Sequence, residues 1–76
     1  MRQIEVITHY PEDDPEFMAD YAGVTVKVDG EVVQEYEDSY HGRGREKAEG
    51  FVDGFRAALG ADQVAISFTK VADYPV

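Results

Sequence analysis

The sequence predicts an α+β domain of order β-β-β-α-β, a four-stranded, mostly antiparallel sheet of strand order 3-2-1-4 with one helix packed on one face. Three observations lead there. Arg45 to Leu59, REKAEGFVDGFRAAL, is the stretch with a clear helical repeat. Strand-like alternation occupies three segments ahead of it and one behind. Asp29-Gly30 lies between two of those segments and is a strong short hairpin signal, because both central positions of a type I′ turn need positive φ. Three antiparallel strands followed by a helix and a strand close most simply through a right-handed crossover, which lays the fourth strand parallel to the first.

Gln3 to Tyr10 alternates with Ile4, Val6, Thr8 and Tyr10 on one face and Glu5, Ile7 and His9 on the other, and Pro11 ends it. The following PEDDPEFMAD has two prolines, five acids and no period. It reads as a loop anchored to the core by Phe17 and Met18. Tyr21 to Val28 returns to alternation, with Val24, Val26 and Val28 on one face and Thr25 and Lys27 on the other.

The returning strand, Glu31 to Asp38, has two available registers. A plain two-residue turn puts Val33 on the Val24/Val26 face with Glu35 across from Val24; a bulged turn brings Val32 and Tyr36 there instead. Ser39 to Gly44 then connects to the helix.

On the helix, Ala48, Phe51, Val52, Phe55 and Leu59 form one apolar stripe for the sheet, and Gly60 is a natural terminator. Gly50, Gly54 and Ala57 form a second stripe pointing away from the first. Two glycines within a helix cost roughly 1 kcal/mol each relative to alanine. They are either tolerated or form a seam that seats a second helix or a partner. Gln63 to Val71 alternates Val64, Ile66 and Phe68 with Ala65, Ser67 and Thr69, reads as an interior strand, and leaves a short tail stopped by Pro75. The sheet face away from the helix carries Ile7, His9, Thr25, Ala65, Ser67 and Thr69, a mixture that suits a homodimer contact.

Seventy-six residues make a single domain, 1–76, with one small core. A chain of this size buries only about 60–65% of its unfolded surface. With no cysteine, neither a disulfide nor a thiolate metal site can brace it. No run has the roughly 18 apolar residues of a membrane span, and Met1 leads directly into strand-like sequence. The expectation is a soluble cytoplasmic protein, in the host cell's cytoplasm if the chain is phage-encoded.

Sixteen acids against seven bases give a formal net charge of −9. Gln3 to Gly42 holds eleven of the acids and one base, whereas Arg43 to Val76 holds five of each. Such a surface repels nucleic acid and anionic membranes and favours basic partners. Its plain reading is a solvated face, in keeping with an acid-biased host. The functional reading assigns partner binding to Glu12, Asp13, Asp14 and Glu16 in the loop and to Glu31, Glu35, Glu37 and Asp38 on the third strand.

In strand order the chain resembles the first half of the ribonuclease H fold and the partial version found in HicB-type antitoxins. The helix REKAEGFVDGFRAAL is similar to the glutamate-bearing helix of ribonuclease H enzymes, with Glu49 at the matching place. Those enzymes also need aspartates in strands one and four to hold two metal ions. Here Ile7, Thr8 and His9 occupy the centre of strand one, and Thr69, Lys70 and Val71 end strand four, so the resemblance implies the fold without the nuclease chemistry.

Other catalytic sets are also incomplete. His9 and His41 are the only histidines and read as surface residues. The loop acids lack the spacing of a calcium loop, and Ser39 and Ser67 have no histidine at a suggestive position. No cofactor or metal is expected. In general character the chain resembles small acidic phage anti-defence proteins, including anti-CRISPR proteins. That resemblance implies a non-enzymatic inhibitor that occludes a basic nucleic-acid-binding surface and does not itself bind nucleic acid. The alternative, implied by the HicB likeness, is an antitoxin module that neutralises a small basic toxin. A third reading is a small enzyme using Glu49, His41 or Tyr40.

Overall fold

The structure, a computed structural model, describes residues 1–37 and 43–76. Asp38 and the proposed reactive residues Tyr40 and His41 lie outside the described residues. The elements run β1 (Arg2–Pro11), β2 (Gly23–Val28), β3 (Glu31–Glu37), α1 (Gly44–Leu59), a 3-10 turn (Ala61–Gln63) and β4 (Val64–Tyr74). The sheet order is β3-β2-β1-β4, with β1 antiparallel to β2, β2 antiparallel to β3 and β4 parallel to β1. The β-β-β-α-β arrangement expected from the alternation is the one observed.

The core lies between α1 and the helix-side residues of the sheet. Ile4, Val6, Thr8 and Tyr10 of β1 are all buried, as are Val24, Val26 and Val28 of β2. Ala48 and Val52 bring the helix onto them, and Phe51 and Phe55 pack at the margin. Leu59, the last residue of the predicted stripe, is 42% exposed and lines an open recess with Met1, Arg2, Asp29 and Gln63. No described helix is long and apolar enough to cross a membrane.

The hairpin register combines features of both sequence alternatives. Asp29 and Gly30 have φ of 51° and 86°, as the I′ turn requires, and Val28 pairs with Glu31 across a two-residue turn. The register then shifts between Val26 and Lys27, so Tyr36 comes opposite Val24 as in the bulged reading, while Val32 faces Lys27 on the other side. Glu35 consequently faces Thr25, away from the helix. The Asp29 carboxylate ties this turn to β1, accepting from the Gln3 N–H at 2.9 Å and the Arg2 guanidinium at 2.7 Å. The Gln3 hydrogen bond, then Arg2, holds the Asp29 carboxyl below its ordinary pKa.

Three further expectations are corrected. Met18 is 81% exposed and anchors nothing; Phe17 alone does so, its ring 4.9 Å from that of Tyr10. β4 continues past Val71 to Tyr74, because β1 extends to Pro11, pairing Tyr10 with Ala72 and, beyond a local register shift, Pro11 with Tyr74. Although its composition reads as interior, β4 pairs among the described residues only with β1, at the edge where the order 3-2-1-4 puts it, and Phe68 is 57% exposed.

The helix start depends on a distant residue. Arg43 at the N-cap contributes no side-chain hydrogen bond, and the Arg45 N–H donates instead to the Tyr21 hydroxyl at 2.9 Å. A tyrosine just ahead of β2 thus satisfies one of the amides that every helix leaves open in its first turn. At the other end Gly60, with φ of 98°, donates its N–H to Arg56 O and stops the helix.

Candidate functional site

Sheet pairing collects much of the acidity at one end. His9 of β1 lies beside Gly23 of β2, which lies beside Glu37 of β3; Ile7, Thr25 and Glu35 form the next row. Both rows are on the face away from the helix. The loop after β1 leaves from this same end, and its Glu12 N–H donates to Tyr74 O at 2.9 Å, next to Asp73. Glu12, Asp13, Glu16, Glu35 and Glu37 are exposed and share this end of the sheet with Asp73.

Two of the predicted acids behave differently. The Asp14 carboxylate is turned into its own loop, where it accepts the N–H groups of Met18 at 3.0 Å and Ala19 at 2.9 Å. It shapes the loop from within, together with Phe17, which has φ of 58° and packs its ring on that of Tyr10. Glu31 pairs with Val28 at the opposite end of β3 and is not brought to the others. Gly50, Gly54 and Ala57 are exposed along α1, and a Cβ built at either glycine meets nothing within 4 Å. The described chain places nothing against that seam.

Between the rows lies a shallow recess of about 320 Å³, lined by His9, Thr25, Glu35, Glu37, Asp73 and Tyr74 among others. Gly23 leaves the space because it contributes no side chain between His9 and Glu37. The close approach of β3 also limits this position, since a Cβ there would come 3.2 Å from Tyr36 O.

Beside the recess, three side chains from three strands form a hydrogen-bonded chain. His9 Nδ1 is 2.8 Å from Asp73 Oδ1, and His9 Nε2 is 2.7 Å from Thr25 Oγ1. A carboxylate only accepts, so Nδ1–H donates to Asp73; the Nε2 of the neutral ring then accepts the Thr25 hydroxyl. The sequence of groups is that of a carboxylate, an imidazole and a hydroxyl nucleophile. Here the hydroxyl belongs to a residue only 9% exposed, on a strand whose backbone is paired on both sides. The geometry braces β2, β1 and β4 to one another across the open face. His9 therefore serves as more than the surface histidine expected. Its partnership with Thr25 was partly legible, since alternation puts both on one face; Asp73 was missed because the fourth strand was expected to stop short of it.

Glu49, which matches the ribonuclease H glutamate, is paired with Arg45 one turn away at 3.3 Å. Among the described residues, no three of the histidines and acids stand close enough together to hold a metal ion. No family model, curated protein or solved structure matches the chain.

Proposed function

We propose that the chain is a non-enzymatic protein-binding inhibitor, of the phage anti-defence kind, whose acidic sheet end occupies an electropositive surface that otherwise holds nucleic acid. The observation that carries this reading is the convergence of Glu12, Asp13 and Glu16 from the loop with Glu35 and Glu37 from β3 at one end of the sheet. Carboxylates arrayed along an edge present spaced negative charge, as a phosphate backbone does. Steering by such charge speeds association and weakens with salt.

Affinity capture from the native or infected host supplies the partner, and titration with the Glu35→Lys/Glu37→Lys variant tests the surface. The expected result is a large loss of affinity for wild-type partner and a salt dependence that flattens in the variant. Unchanged affinity in the variant would sink the reading.

The strand order β3-β2-β1-β4 under a single helix supports a second reading, the HicB-like antitoxin. Its partner is a small basic toxin encoded next to this chain, and its mark is toxicity that appears only when this chain is deleted.

A further inference from the structure

We propose that two copies of this chain pair through the outer edge of β4, antiparallel and about a twofold axis, to give one continuous sheet with both helices on the same face. The inference starts from the disagreement between the composition of β4 and its position. A long edge strand with little charge is a ready template for another strand. From Val64 to Ala72 the strand has Val64, Ile66 and Phe68 on one side, Ala65, Ser67, Thr69 and Val71 on the other, and Lys70 as its single charge. The fold nevertheless leaves it at the edge: Val64 and Ile66 reach the core, but Phe68 is exposed, with the Arg45 guanidinium of α1 standing over its ring at 5.7 Å.

The two edges of the sheet are unlike. β3 is closed to another strand by Glu31, Glu35 and Glu37 and by the irregularity at Val33, which are devices that keep edges from pairing. β4 carries one such charge, Lys70, ahead of Asp73 and offers eleven residues of backbone. The occupant is a second copy because the same chain brings the same near-neutral strand, whereas the sheet's other edge, β3, would bring Glu31, Glu35 and Glu37.

A pairing centred on Thr69 uses the full strand. It sets Thr69 against Thr69, Phe68 against Lys70 and Ala65 against Asp73 of the second copy, and no like charges face each other. Lys70 of each copy then lies beside Phe68 of the other, and the open N–H and C=O groups of both edges are satisfied.

This pairing reaches the acidic end only at Asp73 and Tyr74, and salt separates the two. Each copy bears −9, so screening strengthens the dimer while it weakens capture of a basic partner. Sedimentation equilibrium on the full chain is expected to give twice the chain mass, falling to the chain mass for Phe68→Glu with the far-UV circular dichroism unchanged. Because the chain has no cysteine, Thr69→Cys gives a clean second test. Paired residues lie about 4.5–5.5 Å apart between Cα atoms, within disulfide reach. Oxidised Thr69→Cys should therefore become a covalent dimer, and Gln34→Cys on the β3 edge should not. A monomer at every concentration and salt, a dimer indifferent to Phe68→Glu, or cross-linking at Gln34→Cys in place of Thr69→Cys would each overturn the proposal. If Phe68→Glu unfolds the chain, the two cysteine variants decide alone.

Discussion

Substituting His9 by alanine separates the two halves of the Asp73–His9–Thr25 chain. The Thr25 hydroxyl is within a residue 9% exposed and has His9 Nε2 at 2.7 Å, so removing the imidazole leaves a buried donor without that partner. An unsatisfied buried polar group costs about 1–3 kcal/mol. The lost contact of the imidazole itself, whose side chain is 23% exposed, adds to that. His9→Ala is thus expected to destabilise the domain by about 2–3 kcal/mol. Asp73 is different, because its side chain is 56% exposed and water replaces it. Asp73→Asn should cost less than about 1 kcal/mol.

Replacing both members of the inner pair, His9→Val with Thr25→Val, removes the orphaned group and restores most of the loss, since paired apolar replacement is close to neutral. Urea unfolding with linear extrapolation measures all four proteins. In a domain of this length each 1 kcal/mol moves the melting temperature by about 4–8 °C, so the ranking is readable by heat as well. If Asp73→Asn cost as much as His9→Ala, or if the double valine variant were no better than His9→Ala, the reasoning from burial would be refuted.

Tyr21→Phe removes the acceptor for the Arg45 N–H and should cost about 1 kcal/mol, with amide exchange in the first turn of α1 rising more than elsewhere. Gly50→Ala and Gly54→Ala meet nothing within 4 Å, so each should stabilise by roughly 0.8–1 kcal/mol; destabilisation would reveal a partner surface on that seam. The lowered pKa of Asp29 means that its carboxylate contributes stability that is fully present above the ordinary aspartate value of about 3.9 and is lost as the pH falls through the lower folded value. Asp29→Asn keeps the left-handed turn and removes the charge. The stability gap between wild type and this variant should therefore close on acidification below about pH 4, and a gap constant with pH would exclude the carboxylate as its source.

The parts of the fold legible in the sequence are those written in local pattern. The period of two in Ile4-Val6-Thr8-Tyr10 marks the buried face of β1, and all four residues are buried. Asp29-Gly30 fixes the hairpin, and the 3.6 period ending at Gly60 fixes α1. The crossover rule then orders the sheet. The acids of the candidate site were also legible as residues, but not as a surface. Whether Glu35 faces the helix or the open side depends on the irregularity at Val33, which no turn rule places.

Tertiary structure alone decided the remainder, because each case requires partners far apart in the chain. Asp14 looks like any loop acid until its carboxylate is seen to hold the amides of Met18 and Ala19. His9 looks like a surface histidine until β4 is carried far enough to bring Asp73 to it, across sixty-four residues of chain. An apolar strand reads as interior from its own composition, yet its place in the sheet is set by how many neighbours the chain supplies. This chain supplies β4 with one. Composition suits β4 to two neighbours, whereas the strand order, which the crossover rule predicts and the structure shows, places it at the edge.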